Sequence, residues 1–470
     1  MGEDQQVPIP SVSDQNDGTT QVAEFSTQGP SGSAQQVDKA SKPVGSLGIC
    51  PKCKDRPAEF TVRKNYTTCF SCLEALCSLK LKVVLKGKGG VAHQEHVAVA
   101  FSGGGSSSLM LEFMTKIRNP QAGQYDKQKM AFDLSVFHIV VDQSDGDTAA
   151  AAADEAQVEA TARKIMDGDS DISFKSVPLS DLYVQEESDP SLRQAKLTDL
   201  LASIKDSTGK ADLISYLRTS LLLKLCREAG CKKIVVGYNA SAFAIRAVAS
   251  AVKGAGYALP SDAQYVDSRH ALTGGATIIY PMKDLTDEEI DVVCRVLGLP
   301  CKDIKDSTIT NCSSGNGQAL ATNEIDKHNI NALAALFVEN VLKHNPGAVH
   351  NINSTISKLE AFPWNEPSFE GELDQEALEK NGEDLNAFMG LDEVLCPLCC
   401  APLAQDEIVN IVNGTGGAIA GVCDSCRHQI FANANDGGNV LQKLPRCVAE
   451  NIERTARTWT RMALNPEVCL

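Results

Sequence analysis

Four Cys-x-x-Cys pairs, two near each end of the chain, limit what it can fold into more than any other feature. Cys50 and Cys53 are followed, after fifteen residues, by Cys69 and Cys72, and Cys396 and Cys399 are answered by Cys423 and Cys426. A Cys-x-x-Cys turn aims two thiolates at one point, and two such turns complete a tetrahedral all-sulfur shell suited to Zn2+. Disulfides and reactive thiols are the alternatives. The stretch from Met1 to Val37 is polar and acidic with no apolar core, so it does not read as a signal peptide. A chain without one is expected in a reducing compartment, where this spacing favours metal over disulfide. Structural zinc is therefore expected at both ends, with an iron–sulfur cluster as the competing occupant.

At 470 residues the chain exceeds one hydrophobic core and implies two or three domains. No apolar run reaches the length of a membrane span. The formal charge of −16 argues against strong unaided binding to nucleic acid, because phosphate contacts come from Lys and Arg. Two local basic groups stand out. Lys80, Lys82, Lys86 and Lys88 follow the first cysteine module, and Arg454, Arg457 and Arg461 would share one helical face. Either is equally readable as an ordinary solvated surface.

Residues 1–47, rich in Gln, Ser, Asp and Gly, read as a disordered tail. The first four-cysteine module is placed in 48–90. From Val97 onward, short apolar runs alternate with helical segments. Strands are expected at Val97–Phe101, Leu134–Val141, Phe174–Leu179, Lys233–Gly237 and Thr277–Tyr280. Helices are expected around 154–167, 190–204, Ile214–Ala229, Ala240–Val252 and Asp287–Leu297. This alternation predicts an α/β fold with a doubly wound parallel sheet over 91–300. A helical and irregular extension covers 301–390, with an amphipathic helix at Asn329–Lys343 and an acidic, mobile stretch at 363–390. The second cysteine module and a terminal helix from Pro445 to Ala463 fill 391–470.

Between the first strand and its helix lies the turn Phe101-Ser-Gly-Gly-Gly-Ser-Ser-Ser108. Such a turn can offer backbone N–H groups and a helix N-terminus to a phosphate. It is not a Walker A sequence, since no Gly-Lys-Ser/Thr follows. The start Ser102-Gly103-Gly104 and Ser107 resemble the S-G-G-x-D-S phosphate loop of the PP-loop ATP-pyrophosphatase family. With a four-cysteine module on either side, the chain is similar to the TtuA-like tRNA thiolation enzymes over about 48–300 and 391–430. That resemblance implies the PP-loop type of sheet, flanked by N-terminal and C-terminal zinc modules. It also implies Ser102, Gly103, Gly104 and Ser107 as the remnant of a nucleotide site.

The departures from the family pattern define the expectation further. The motif's Asp falls on Ser106, and Gly105 stands where active relatives carry Lys. Gly237-Tyr-Asn-Ala-Ser-Ala242 resembles the family turn G-H-N-A-D-D with its His and both Asp replaced. The family's catalytic C-x-x-C precedes an Arg-rich helix. Setting Leu217-Arg218 at the start of that helix puts Ala211 and Ile214 at the cysteine positions. Neither can carry sulfur or hold a cluster. Among the other cysteines, Cys226, Cys231, Cys294 and Cys301 read as buried thiols, and Cys312 lacks any evident partner. His93 and His96 flank a strand and read as surface residues.

The resemblance thus points to the degenerate, non-catalytic subunit class of this family, a pseudo-enzyme with no catalytic residues of its own. It implies 2-thiolation of wobble uridine (mcm5s2U formation) in cytoplasmic tRNAs for Lys, Glu and Gln. The partner it implies is a catalytic subunit, an active PP-loop paralogue, with sulfur arriving as a thiocarboxylate on a ubiquitin-related modifier. Whether the loop keeps ATP stays open. The alternatives are an active ATP-dependent tRNA sulfurtransferase with an altered loop, and a zinc-ribbon scaffold unrelated to tRNA.

Overall fold

A computed structural model describes residues 48–63, 65–119, 129–141, 148–166, 169, 171–271, 275–300, 326–365, 395–403, 422–431 and 437–453. These all lie in one unit of the chain, 46–470. The first four-cysteine module is a short antiparallel hairpin, β1 (Phe60–Val62) and β2 (Tyr66–Thr68), followed by helix α1 (Phe70–Val83). Arg63 turns the hairpin with a φ of 53°. Leu73, Cys77 and Leu81 recur at helical spacing and form the buried face of α1.

The body is a six-stranded sheet of order β5-β4-β3-β6-β8-β7. Its strands are β3 (Glu95–Ala100), β4 (Phe132–Val140), β5 (Ser173–Pro178), β6 (Lys233–Val236), β7 (Val266–Asp267) and β8 (Thr277–Ile279). All neighbours pair in parallel except β7, which runs antiparallel along the edge against β8. Val97 is level with Leu134 on one side and Lys233 on the other. Both faces of the sheet are covered, so the two central strands carry continuous apolar runs, 97–100 in β3 and 234–236 in β6. Val97 and Val99 enter one core layer while Ala98 enters the other.

Helices α2 (Gly105–Ile117), α3 (Thr148–Met166) and α8 (Asp287–Leu297) cover the first face together with α1. Helices α4 (Pro190–Ser203) and α5 (Ser207–Glu228) cover the second, joined by the C-terminal cysteine module. Helix α6 (Ala240–Val252) leads to the short α7 (Leu259–Asp262) and also packs on α9 (Ile330–His344) and α10 (Ala348–Ile356). The strand order changes direction on either side of β3. The crevice beyond the carboxyl ends of β3 and β6 is therefore where a doubly wound sheet receives a ligand.

The expected strands and helices are present in the expected order, with instructive shifts. Helix α5 begins at Ser207, seven residues before the expected Ile214. Asp206-Ser-Thr-Gly209 reads as a turn, but the Asp206 carboxylate accepts from the Gly209 N–H at 2.6 Å and caps the helix instead. Helix α3 likewise starts at Thr148 rather than 154. Of the acidic stretch 363–390, the described residues are anchored, not mobile. The buried Trp364 indole donates to Ser261 Oγ at 2.8 Å, and Asn365 Nδ2 donates to the Val266 carbonyl at 2.8 Å. The remainder of that stretch, and the polar segment 302–325, lie outside the described residues. The expected terminal helix is present at 446–453, and its continuation lies outside them too.

Candidate functional site

Each cysteine quartet combines a knuckle with the start of a helix. In the first, the Lys54 N–H donates to the Cys50 carbonyl and the Cys50 N–H to the Arg56 carbonyl, both at 2.8 Å. Lys54 takes a left-handed φ of 57° at the turn. In the second, the Cys400 N–H donates to the Cys396 carbonyl and the Cys396 N–H to the Ala401 carbonyl, again at 2.8 Å, with Cys400 also at a φ of 57°. Cys69 is the N-cap of α1 with Cys72 in its first turn. Cys423 and Cys426 stand in the same relation to the helical segment beginning at Asp424. Orphan N–H groups at a helix start stabilise thiolates.

The sulfur atoms of each quartet all lie within 4.8 Å of one another. Cys53 and Cys69 Sγ are 3.9 Å apart, and Cys399 and Cys423 Sγ 3.6 Å. Tetrahedral Zn–S bonds of about 2.3 Å place sulfur atoms about 3.8 Å apart, whereas a disulfide needs about 2.05 Å. Backbone N–H groups of Cys53 and Cys69 pull the Cys50 thiol down to about 5. Burial opposes the Cys396 thiolate, yet hydrogen bonds from the Cys399, Cys423 and Cys426 thiols hold it well below its usual range. Cys72 is pushed up to about 12, first by burial and then by the neighbouring thiols. Four thiols this close cannot all ionise without a cation among them. The donor sets fit a metal ion.

The glycine turn is internally closed. Ser102 and Ser107 hydroxyls lie 3.0 Å apart, and the Ser102 N–H donates to Ser107 Oγ at 3.3 Å. Ser107 in turn donates to the Gly104 carbonyl at 3.0 Å. Gly103 has a φ of +80°, and a Cβ there would meet a Val158 methyl of α3 at 2.8 Å. Gly237, opening the second turn, would bring a Cβ 3.1 Å from Ser107 Cα, so both turns meet where the strand order switches. Ser106 Oγ is buried and has no hydrogen-bond partner. No carboxylate replaces the motif's Asp at that position.

The second turn does hold a carboxylate that the sequence reading missed. Asp287, from α8, accepts from Asn239 Nδ2 at 2.6 Å and from the Ser241 hydroxyl. Its signal was the capping box formed by Thr286 and Glu289, which fixes the first turn of α8. Both Asp287 oxygens are already engaged by the turn they support.

The other candidates separate cleanly. Ala211 and Ile214 lie inside α5, not ahead of a helix, and are 3% and 1% exposed. Cys226 and Cys231 are buried, with burial pushing their thiols up to about 12 and about 11. Cys294 is buried and donates to the Gly105 carbonyl at 3.5 Å. His93 is exposed, and half-buried His96 pairs with Ser135 Oγ at 2.8 Å. Of the first basic group, Lys80 donates to the Asp284 carbonyl at 3.2 Å and faces Glu289, while Lys88 sits 3.4 Å above the Tyr265 ring. Lys86 is exposed. Cys301, Cys312, Arg454, Arg457 and Arg461 lie outside the described residues.

Fold and site together define a doubly wound α/β protein with a self-closed glycine turn after its first strand, bracketed by two four-thiol centres that fit metal. No family model matches the chain. It is similar to curated proteins named cytoplasmic tRNA 2-thiolation protein 2. The relative from Oryza sativa subsp. indica is 28% identical over 425 residues, spanning 86% of this chain and 85% of its own. The Arabidopsis thaliana relative is 28% identical over 411 residues, with 84% and 83% covered. These matches agree with the resemblance carried by the motifs and narrow it to that named group. Among solved structures, the U34-tRNA thiolase NcsA from Methanococcus maripaludis with its [4Fe-4S] cluster is similar at a TM-score of 0.43 and 16% identity. The match covers 67% of this chain and 89% of that one.

Proposed function

We propose that this chain is a cytoplasmic, non-catalytic subunit that 2-thiolates wobble uridine only in company with an active PP-loop paralogue. The tRNAs are those for Lys, Glu and Gln, and sulfur comes from a thiocarboxylated ubiquitin-related modifier. The observation that carries this reading is the self-closed turn. Ser102 and Ser107 bond each other, Ser106 replaces a carboxylate, and the nearby Asp287 is held by Asn239 and Ser241. Metal-assisted adenylation needs carboxylates free to hold a cation, and sulfur transfer needs an accessible thiolate. The glycine turn itself, residues 101–108, carries neither a carboxylate nor a thiol. The named relatives support the tRNA thiolation setting.

In this reading Cys50, Cys53, Cys69 and Cys72 hold one Zn2+, and Cys396, Cys399, Cys423 and Cys426 hold another. A bound zinc ion supplies a cross-link and no chemistry. The sulfur spacing favours one ion over a cluster, whose thiolates sit on separate irons and so spread farther apart. Ser102, Gly103, Gly104 and Ser107 form a vestigial phosphate cradle.

Mass analysis of wobble uridine in cells lacking the protein tests the proposal, with loss of the 2-thio group as the expected result. ATP–pyrophosphate exchange by the isolated chain is expected to be absent. Exchange that disappears in Ser107→Ala would overturn the non-catalytic assignment.

A further inference from the structure

Positive charge in this chain is concentrated at one end. Between residues 48 and 90 nine Lys and Arg stand against three acidic residues, in a protein whose overall formal charge is −16. The first knuckle carries much of this excess. Lys52, Lys54 and Arg56 all lie on its exposed rim, and Lys54 projects from the left-handed residue at its tip. Lys52 reaches the Cys72 carbonyl at 3.5 Å, so the rim folds against the start of α1. At the other end of the helical segment, Lys86 is exposed. With 14 residues in α1, a rise of about 1.5 Å per residue separates the two ends by about 20 Å.

The cations are not a requirement of the metal centre. The second quartet has the same knuckle geometry, yet its knuckle reads Cys396-Pro-Leu-Cys-Cys-Ala401 without a charged side chain. Nor is every cation of the first module available. Arg63 and Lys80 are committed to Glu289, which is buried, and Arg63 also donates to the Asp284 carbonyl. What remains exposed is the group of cations on the knuckle rim, with Lys86 and Lys88 beyond the far end of α1.

We infer that the exposed cations of this module, Lys52, Lys54 and Arg56 on the knuckle rim with Lys86, bind the phosphate backbone of RNA. Three exposed cations within five residues suit adjacent backbone phosphates, which they contact without reading bases. The surrounding negative charge of the chain confines RNA to this face and repels it elsewhere. The inference rests on the tRNA reading proposed above, and it names the face through which tRNA is held.

The test uses the full chain with total tRNA as the probe and measures affinity across a salt series. The triple variant Lys52→Gln/Lys54→Gln/Arg56→Gln keeps every cysteine, and its zinc content checks that the module is folded. Its tRNA affinity is expected to fall about tenfold or more, with the salt slope flatter by about 2 to 3, near 0.9 per phosphate contact. Lys86→Gln is expected to flatten the slope by about one, and Lys358→Gln, at an exposed lysine outside this module, to change nothing. Unchanged affinity and slope in a zinc-loaded triple variant overturn the inference. So does loss of binding to polyglutamate but not to tRNA, which would mark an acidic protein as the partner. Wobble-uridine analysis separates the two levels. If deletion of the protein abolishes thiolation but the triple variant supports it and binds tRNA normally, only this inference falls. If deletion leaves thiolation intact, the proposed function falls instead.

Discussion

Cys50–Cys53 and Cys396–Cys399 turn alike, each with a left-handed fifth residue whose N–H bonds the first cysteine's carbonyl, but they are set in opposite surroundings. Around the first knuckle, residues 51–57 are all exposed, and the module's buried contribution comes from Leu73, Cys77 and Leu81 of α1. Around the second, Cys396, Leu398, Leu403, Val422, Cys423, Cys426, Ile430 and Phe431 are themselves part of the core that covers one face of the sheet. The attachments differ too. The first module is held by the buried face of α1 in the core over the other side of the sheet and by ion pairs, with Arg63 2.8 Å from Glu289. The second is held by apolar packing and by buried Arg269, which bonds the Cys400 carbonyl at 3.0 Å and pairs with Asp267 at 2.6 Å. One local design therefore serves as a presented surface at one end and as a keystone of the core at the other.

This contrast predicts unequal consequences of removing a ligand. Cys396→Ser is expected to have the largest effect. Structural zinc contributes about 10 kcal/mol or more of folding free energy, comparable to the whole stability of a domain. Soluble yield should collapse, as measured by fractionation and near-UV circular dichroism. Cys53→Ser is expected to lower bound zinc from two ions per chain to one while leaving the sheet folded. Faster hydrogen exchange should be confined to about residues 48–83. If the two variants lose solubility equally, the contrast is wrong.

Smaller changes sharpen the same point. A Cβ at Gly209 would lie 1.8 Å from the Gln429 carbonyl oxygen, on the backbone of the second module. Gly209→Ala is therefore expected to cost about 2–3 kcal/mol in urea unfolding, by forcing that module off α5. Glu289→Gln should cost about 1–3 kcal/mol and loosen only the first module, because Arg63 and Lys80 lose their shared carboxylate.

The smallest expected effect is a response to mild acid. Burial, followed by the Arg63 charge, lowers the His350 pKa below its ordinary value. The unfolded chain thus takes up this proton first, and stability contributed near His350 declines as pH drops through about 6.5. At the second module, burial raises the Asp267 pKa, but the Arg269 charge and hydrogen bonds outweigh it and hold the carboxyl well below its usual range. That contribution is present above the ordinary carboxylate range and is lost only in strong acid. Between about pH 7 and 5, exchange protection should fall near Arg63 and Lys80 and hold near Cys400.

Much of this was legible in the sequence, for physical reasons that can be named. Buried parallel strands such as Val97-Ala-Val and Ile234-Val-Val leave continuous apolar runs, and the alternation with helices gives the sheet type. Thiol pairs announce themselves by spacing, and both quartets assemble as read. What escaped depended on distant partners. Gly209 reads as a helix breaker until the Gln429 backbone passes it. Asp287 looks like an ordinary first-turn acid until Asn239 and Ser241 reach it from another helix. Edge strand β7 is two residues long, too short to leave a pattern. Lys80 belonged to a promising basic run, but its partner Glu289 lies more than two hundred residues away.

The keystone position of the second module has a consequence for biosynthesis. Ile139, Val177, Leu213 and Ile234 leave the ribosome long before Cys396, yet the layer over them includes Phe431, Val440 and Leu444. At about 5–20 residues per second, the layer that α4 and α5 lay on this face waits many seconds for its last apolar members. Ribosome-bound chains halted before Cys396 are the ones a chaperone must shield. On the proposed zinc reading, metal loading of the last quartet would complete that layer in the nascent protein.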